Sequence, residues 1–234
     1  MKKIALGVAS IATIGHSASA LSWFFPVTKR IIPTITGNNH SSSYTALSFD
    51  DGPDPAFTPQ LLEILAEKKT KATFFMLGQM VAKYPTLARE VASEGHDIAL
   101  HGYEHRNHLF RSAKTIAFDL KRGKEVVEDA VDRKIELYRP PYGVISGGTI
   151  YGCKKSDLRV VTWTNWGRDW RAIATPESVI HDVFRHNPRG GTVLLHDSDC
   201  TSAPGSINST IGALPLLIDR FKSESISIGP IVAR

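Results

Sequence analysis

The chain has 234 residues, 42% of them hydrophobic, which suits one globular domain with a sizeable core. It contains no run of about 18 apolar residues, which argues against a conventional membrane-spanning helix. The formal charge of +5 is scattered in short groups such as Lys68-Lys69-Lys71 and Lys121-Arg122-Lys124, with no interleaved stacking aromatics, so nucleic acid is not an expected partner.

Residues 1–20 read as an export signal. Lys2-Lys3 gives a positive start, residues 4–15 form a short apolar stretch, and Ala18-Ser19-Ala20 offers a small-residue cleavage site. The expected location is therefore secreted or held at the cell surface, with the cytoplasm as the alternative. Residues 21–32 join Trp23-Phe24-Phe25 to Lys29-Arg30. They fit either peripheral membrane contact at headgroup depth or packing along the outside of the domain. Residues 34–43 are polar and turn-rich and read as a linker, so the catalytic domain is expected over residues 44–234. Cys153 and Cys200 are too few for a disulfide scaffold. They are read as unpaired thiols, or as one bridge in an oxidising compartment.

From there strand and helix alternate. Strands are expected at residues 44–49, 72–77, 97–100, 135–138, 158–163, 192–195 and 226–228. Helices are expected at 55–68, with Thr58-Pro59 as cap and first turn, at 85–94 closed by Gly95, at 112–131, at 146–155, at 176–185 capped by Thr175, and at 207–221. This rhythm specifies an α/β fold with parallel strands. Polar clusters follow at least five different strands and no glycine-rich phosphate loop follows the first. Both features favour a (β/α) barrel over an open doubly wound sheet. The chain is short for eight units, so the expected architecture is a distorted or incomplete barrel with about seven parallel strands.

The polar clusters are Ser48-Phe49-Asp50-Asp51-Gly52-Pro53, His101-Gly102-Tyr103-Glu104-His105, Arg139-Pro140-Pro141-Tyr142-Gly143, Arg168-Asp169-Trp170 and Leu194-Leu195-His196-Asp197. His101 and His105 are spaced so that one helical turn, or a tight loop like one, lets both rings face one metal. Asp50 and Asp51 would point to opposite faces of a regular strand. They can share a site only if the chain turns there, and Gly52-Pro53 makes that turn. One carboxylate could then bind the metal and the other take a proton, and the residues alone leave open which does which. A divalent metal would acidify water and polarise a carbonyl. His196 suits the proton donor, because its ordinary pKa lies near neutrality. Arg139 can clamp the basic carboxylate. His108 reads as a polar loop residue near the rim. The Asp197–Gly205 stretch is expected to touch substrate or arrange His196.

Taken together and in this order, the five clusters resemble the polysaccharide deacetylases, the family with the NodB homology domain (carbohydrate esterase family 4), over residues 44–228. The resemblance implies a distorted (β/α) barrel and removal of N-acetyl groups from an acetylated amino sugar in a polysaccharide or glycoconjugate. It implies Asp50 as general base, Arg139 orienting it, and Asp51, His101 and His105 holding one divalent metal, zinc first, with cobalt or another transition ion as alternates. It implies the Tyr142 backbone N–H as an oxyanion donor, Asp169 tuning His196 as general acid, and Trp170 and Leu194 lining an acetyl pocket. In one departure, Gly102 stands where the family usually has Ser or Thr. The missing hydroxyl brace must be supplied by Tyr103 and Glu104, or metal binding weakens. The same residues admit O-acetyl ester hydrolysis, deacylation of a lipid-linked sugar, or a non-catalytic carbohydrate-binding role.

Overall fold

The structure is a computed structural model that describes residues 34, 35, 37 and 43–232. The expected export signal and the segment at 21–32 lie outside the described residues. Among the described residues, nine strands join in one sheet: β1 (Thr34–Ile35), β2 (Tyr44–Asp50), β3 (Thr73–Met76), β4 (Asp97–Leu100), β5 (Leu137–Tyr138), β6 (Arg159–Val161), β7 (Asn165–Trp166), β8 (Thr192–His196) and β9 (Ser227–Gly229). Their order is β1-β6-β5-β4-β3-β2-β8-β7, with β9 beside the start of β2. Every ladder between these strands is parallel. The outer strands β1 and β7 do not pair with each other, so the sheet curls without closing. This is the distorted barrel expected from the chain's length.

Two strands were not anticipated. Thr34–Ile35, read as linker, pairs with Val160 and Val161 as an edge strand. Asn165–Trp166, assigned to no element from the sequence, pairs with Val193 and Leu194. Each is a two-residue strand, too short to show a period of two.

The central strands have apolar residues on both faces, as a sheet covered on both sides requires. Phe74 and Phe75 show the alternation. Phe74 stacks on Phe49 at 5.1 Å within the large core beneath the helices. Phe75 belongs to a small cluster on the other face with Ala46, Ala99, Leu137, Val161 and Ile231.

Among the described residues, seven α-helices surround the sheet: α1 (Thr58–Glu67), α2 (Gly78–Lys83), α3 (Pro85–Ser93), α4 (Ala113–Val131), α5 (Gly147–Ser156), α6 (Pro176–Phe184) and α7 (Ile207–Ser223). Ser112 caps α4, and Ser146 and Thr175 form reciprocal capping boxes with Thr149 and Ser178. The expected cap at Thr58 is not made: Phe57 holds that position and the buried Thr58 hydroxyl is used elsewhere. Helix α2 was missed because six residues carry too little periodicity. Cys153 and Cys200 are both free thiols. No helix among the described residues is long and apolar enough to cross a membrane.

Candidate active site

Register builds the site. Asp50 at the end of β2 pairs with His196 at the end of β8, and the Asp197 N–H donates to the Asp50 carbonyl at 3.1 Å. The ladder continues beyond the strands: the His101 N–H donates to Met76 O at 2.8 Å and the Arg139 N–H to Leu100 O at 3.0 Å. The carboxyl ends of adjacent strands thus deliver Asp50, His101, Arg139 and His196 to one place. They open on a cleft of about 450 Å³, also lined by His105, Tyr142, Trp163, Trp166, Trp170 and Leu194.

The two aspartates share the site because the strand stops between them. Asp50 is the last residue of β2, and Asp51 takes φ +85°, which turns the chain. Arg139 is fully buried, lies 3.9 Å over the Phe75 ring, and donates from Nη1 to Asp50 Oδ1 at 2.6 Å. An arginine cannot give up its proton here, so it holds Asp50 as an acceptor.

Asp51, His101 and His105 offer ligand atoms that all lie within 4.8 Å of one another. His101 Nδ1 is 2.8 Å from the Arg139 carbonyl, which can only accept, so Nδ1 carries the proton and Nε2 offers its lone pair. That Nε2 lies 3.4 Å from Asp51 Oδ1, and His105 Nε2 lies 3.6 Å from the same oxygen. Asp51 Oδ1 is buried and has no hydrogen-bond partner among the described residues. An orphaned carboxylate oxygen facing two imidazoles is costly unless a cation completes it. Two nitrogens and one oxygen suit a borderline-soft divalent ion. Burial, with His101 beside it, pushes His105 down to about 4 and keeps it neutral. Burial works to raise Asp51, but the facing His101, His196 and His105 rings and the Thr201 hydroxyl outweigh it and hold that carboxyl below its ordinary value.

On the far side of the cleft, Asp169 accepts from His196 twice, from the backbone N–H at 2.8 Å and from Nδ1 at 2.9 Å. The Thr210 hydroxyl on α7 also donates to Asp169, at 2.7 Å. Burial alone would lower His196, yet the Asp169 charge and hydrogen bond, with Asp51 and Asp50 behind them, push it up to about 10. His196 therefore holds a proton at neutral pH. Tyr142 has φ +59° and its N–H finds no acceptor among the described residues, while its ring meets His105 edge-on at 4.5 Å. Trp170 packs edge-on against His196 at 5.7 Å.

The sequence profile of the polysaccharide deacetylases matches residues 37–161, more than half of the chain. The chain belongs to the polysaccharide deacetylase family. A peptidoglycan-N-acetylglucosamine deacetylase of Bacillus cereus is 35% identical over 181 residues, covering 76% of this chain and 82% of the relative. A chitooligosaccharide deacetylase of Azorhizobium caulinodans is 30% identical over 200 residues, covering 82% and 94%. Among solved structures, a mutant of a carbohydrate esterase family 4 pseudoenzyme with restored enzymatic activity superposes with a TM-score of 0.77 at 25% identity, covering 85% of this chain and 69% of that one. The family fold thus occurs with and without activity, and the activity of this deacetylase-family chain has to be argued from its side chains.

All ten residues expected at the site come together at this end of the sheet. Four further residues support them. The Thr201 hydroxyl donates to Asp51 Oδ2, which leaves Oδ1 to the metal position. Asp197 accepts from the Gly52 N–H at 2.9 Å and from the Thr58 hydroxyl at 2.9 Å, fixing the turn after Asp51. Burial pushes Asp197 up to about 7, against those two bonds. Thr210 fixes Asp169, and Asp119 of α4 fixes the loop that carries His101 and His105.

Asp119 answers the Gly102 departure. It accepts from the Tyr103 N–H at 3.0 Å and from the Glu104 backbone. Gly102 has φ +98°, and a Cβ there would lie 3.1 Å from Glu104 O and 3.2 Å from Asp119 Oδ2. The brace is therefore a carboxylate from a neighbouring helix. The Tyr103 and Glu104 side chains do not supply it: Tyr103 lies under Arg122 and Glu104 pairs with Arg106.

One other expectation needs correction. His108 is buried, 1% exposed, with Nδ1 2.9 Å from the Thr149 hydroxyl and Nε2 3.3 Å from the Tyr138 hydroxyl, so it is a core residue and not a rim residue. The loop after His196 lines the cleft with Thr201 and Ser202 and holds Asp51 through Thr201, while Asp199 bonds within its own loop to the Gly205 N–H at 2.6 Å.

Proposed function

We propose that this chain is a metal-dependent hydrolase that removes N-acetyl groups from an acetylated amino sugar in a glycan. The observation that carries the reading is that the arginine-held carboxylate of Asp50 and the Asp169-bound imidazole of His196 accompany one three-ligand cluster, with an unpartnered Asp51 oxygen, at a single aromatic-lined cleft. Relatives named as peptidoglycan and chitooligosaccharide deacetylases support the choice of substrate class.

Asp51, His101 and His105 would hold the divalent ion, zinc first among the candidates, which when bound acidifies water and polarises the acetyl carbonyl. Asp50 takes the proton from the attacking water. It needs no group to reposition it, since Arg139 already fixes one of its oxygens. As the carbonyl carbon becomes tetrahedral, the Tyr142 N–H is placed to donate to the developing oxyanion. His196 then passes its proton to the departing amine, and Asp169 stabilises the imidazolium until that transfer. Trp170 and Leu194 wall the acetyl group, excluding water from one side.

An amide and an ester carbonyl would be attacked in the same way, so substrates decide between them. Acetate release is to be followed on an acetylated chitooligosaccharide, peptidoglycan glycan fragments and acetylxylan, before and after metal stripping. Release from the first two, lost on stripping and restored by zinc or cobalt, is the expected result. Release from acetylxylan alone would make the chain an esterase, and no release with metal bound would refute the reading.

A further inference from the structure

Among the described residues, seven that are not glycine have positive φ. Four of them, Lys69, Asp132, Asp157 and Ser225, lie at or just past the C-terminal ends of helices, where a left-handed residue closes the last turn. The other three are at the site: Tyr142 and Arg168 line the cleft, and Asp51 belongs to the cluster with His101 and His105. Asp51 faces the metal position and Tyr142 presents its N–H to the oxyanion. Arg168, at φ +49°, has no such duty in the reaction. A side chain in that backbone region is disfavoured, and its persistence points to a use.

The backbone around it is locked. The Gly167 N–H donates to Leu194 O at 3.2 Å, and a Cβ on Gly167 would lie 2.6 Å from Leu195 Cδ2. On the other side Asp169 is held by His196 and Thr210. Between these fixed points the half-buried Arg168 lines the cleft, its guanidinium 5.6 Å from the centre of the Trp166 ring. Among the described residues no carboxylate pairs with it. Arg171, three residues on, is the contrast: its guanidinium donates to Asp182 at 2.7 Å and to the Arg168 carbonyl at 2.9 Å.

We infer that Arg168 is a specificity-determining residue that binds a carboxylate on the substrate, so the preferred glycan is acidic, with the carboxylate on or next to the acetamido sugar. This rests on the proposed deacetylation. The aromatic walls suit the apolar faces of sugar rings, and an unpaired guanidinium among them is a two-pronged receptor for a carboxylate. The net positive charge of the chain would add to the attraction at a distance.

The test compares peptide-free peptidoglycan glycan strands with free carboxylates against the same strands converted to neutral methylamides, with chitotetraose as a third substrate. KM and kcat for acetate release are measured for wild type, Arg168→Gln and Arg168→Lys at low and high salt, after thermal melts show all three folded. Wild type is expected to show a KM about tenfold lower on the acidic strands, an effect that one charge-assisted pair can supply, shrinking in high salt. Arg168→Gln should lose most of that ratio and Arg168→Lys retain part of it. Acetate release from both forms with equal KM in wild type, or the same ratio in Arg168→Gln, would overturn the carboxylate subsite and leave the deacetylase reading standing. Release from none of the three would overturn both.

Discussion

Two carboxylate–cation pairs meet at the cleft, and in the proposed reaction they work in opposite senses. Asp50 and Arg139 meet at 2.6 Å, and Asp169 and His196 at 2.9 Å. In the first pair the cation cannot lose its proton, so it positions and the carboxylate reacts. In the second the cation titrates, so the carboxylate positions and the imidazole reacts. Similar geometry therefore yields a base on one side and an acid on the other. The difference lies in which partner is exposed to the cleft: Arg139 and Asp169 are sealed beneath, while Asp50 and His196 line it.

The largest way to break this comparison is to remove the reacting member of the first pair. Asp50→Asn keeps the shape and a hydrogen-bond acceptor for Arg139 but cannot take a proton. Steady-state kcat should fall by about a thousandfold, within the range for a lost general base, with metal content by elemental analysis unchanged. A smaller loss, of about a hundredfold, is expected for Arg139→Lys, which keeps the charge but not the planar fork. That variant should also melt at lower temperature, because its ammonium cannot reproduce a buried guanidinium's contacts with Asp50 and Phe75.

The support beneath the metal cluster gives a smaller and separable effect. Asp119→Ala removes the acceptor for the Tyr103 and Glu104 N–H groups and should weaken zinc binding about tenfold in equilibrium dialysis, as loss of an outer partner of metal ligands commonly does. Unchanged zinc affinity would mean that the loop holds its shape without α4.

The candidate site residues were legible in the sequence because their clusters follow strands and each cluster pairs unusual residue types. Asp50-Asp51 before Gly-Pro, two histidines at helical spacing, and a histidine ending an apolar run stand out against their surroundings. Their supports do not stand out. Thr58 and Asp197, or Thr201 and Asp51, are unremarkable pairs separated by 139 and 150 positions, and only the closing of β2 on β8 brings them together. His108 misled in the other direction. Its nearness to His105 in sequence suggested the rim, but a single 3₁₀ turn at His108–Phe110 directs the ring inward to Thr149 and Tyr138. Strands of two residues, β1 and β7, were likewise beyond a reading based on alternation.

The pH dependence of kcat/KM on chitotetraose, in wild type and Asp169→Asn, tests the opposed pairs most directly. His196 must be protonated to act, and Asp169 is what raises its pKa towards about 10, so activity should be lost as pH rises through that value. In Asp169→Asn the carboxylate charge is gone, the His196 pKa falls, and the alkaline limb should move down by at least about one pH unit while the acid limb stays. An alkaline limb that stays in place in the variant would contradict the assignment of His196 as the acid held charged by Asp169.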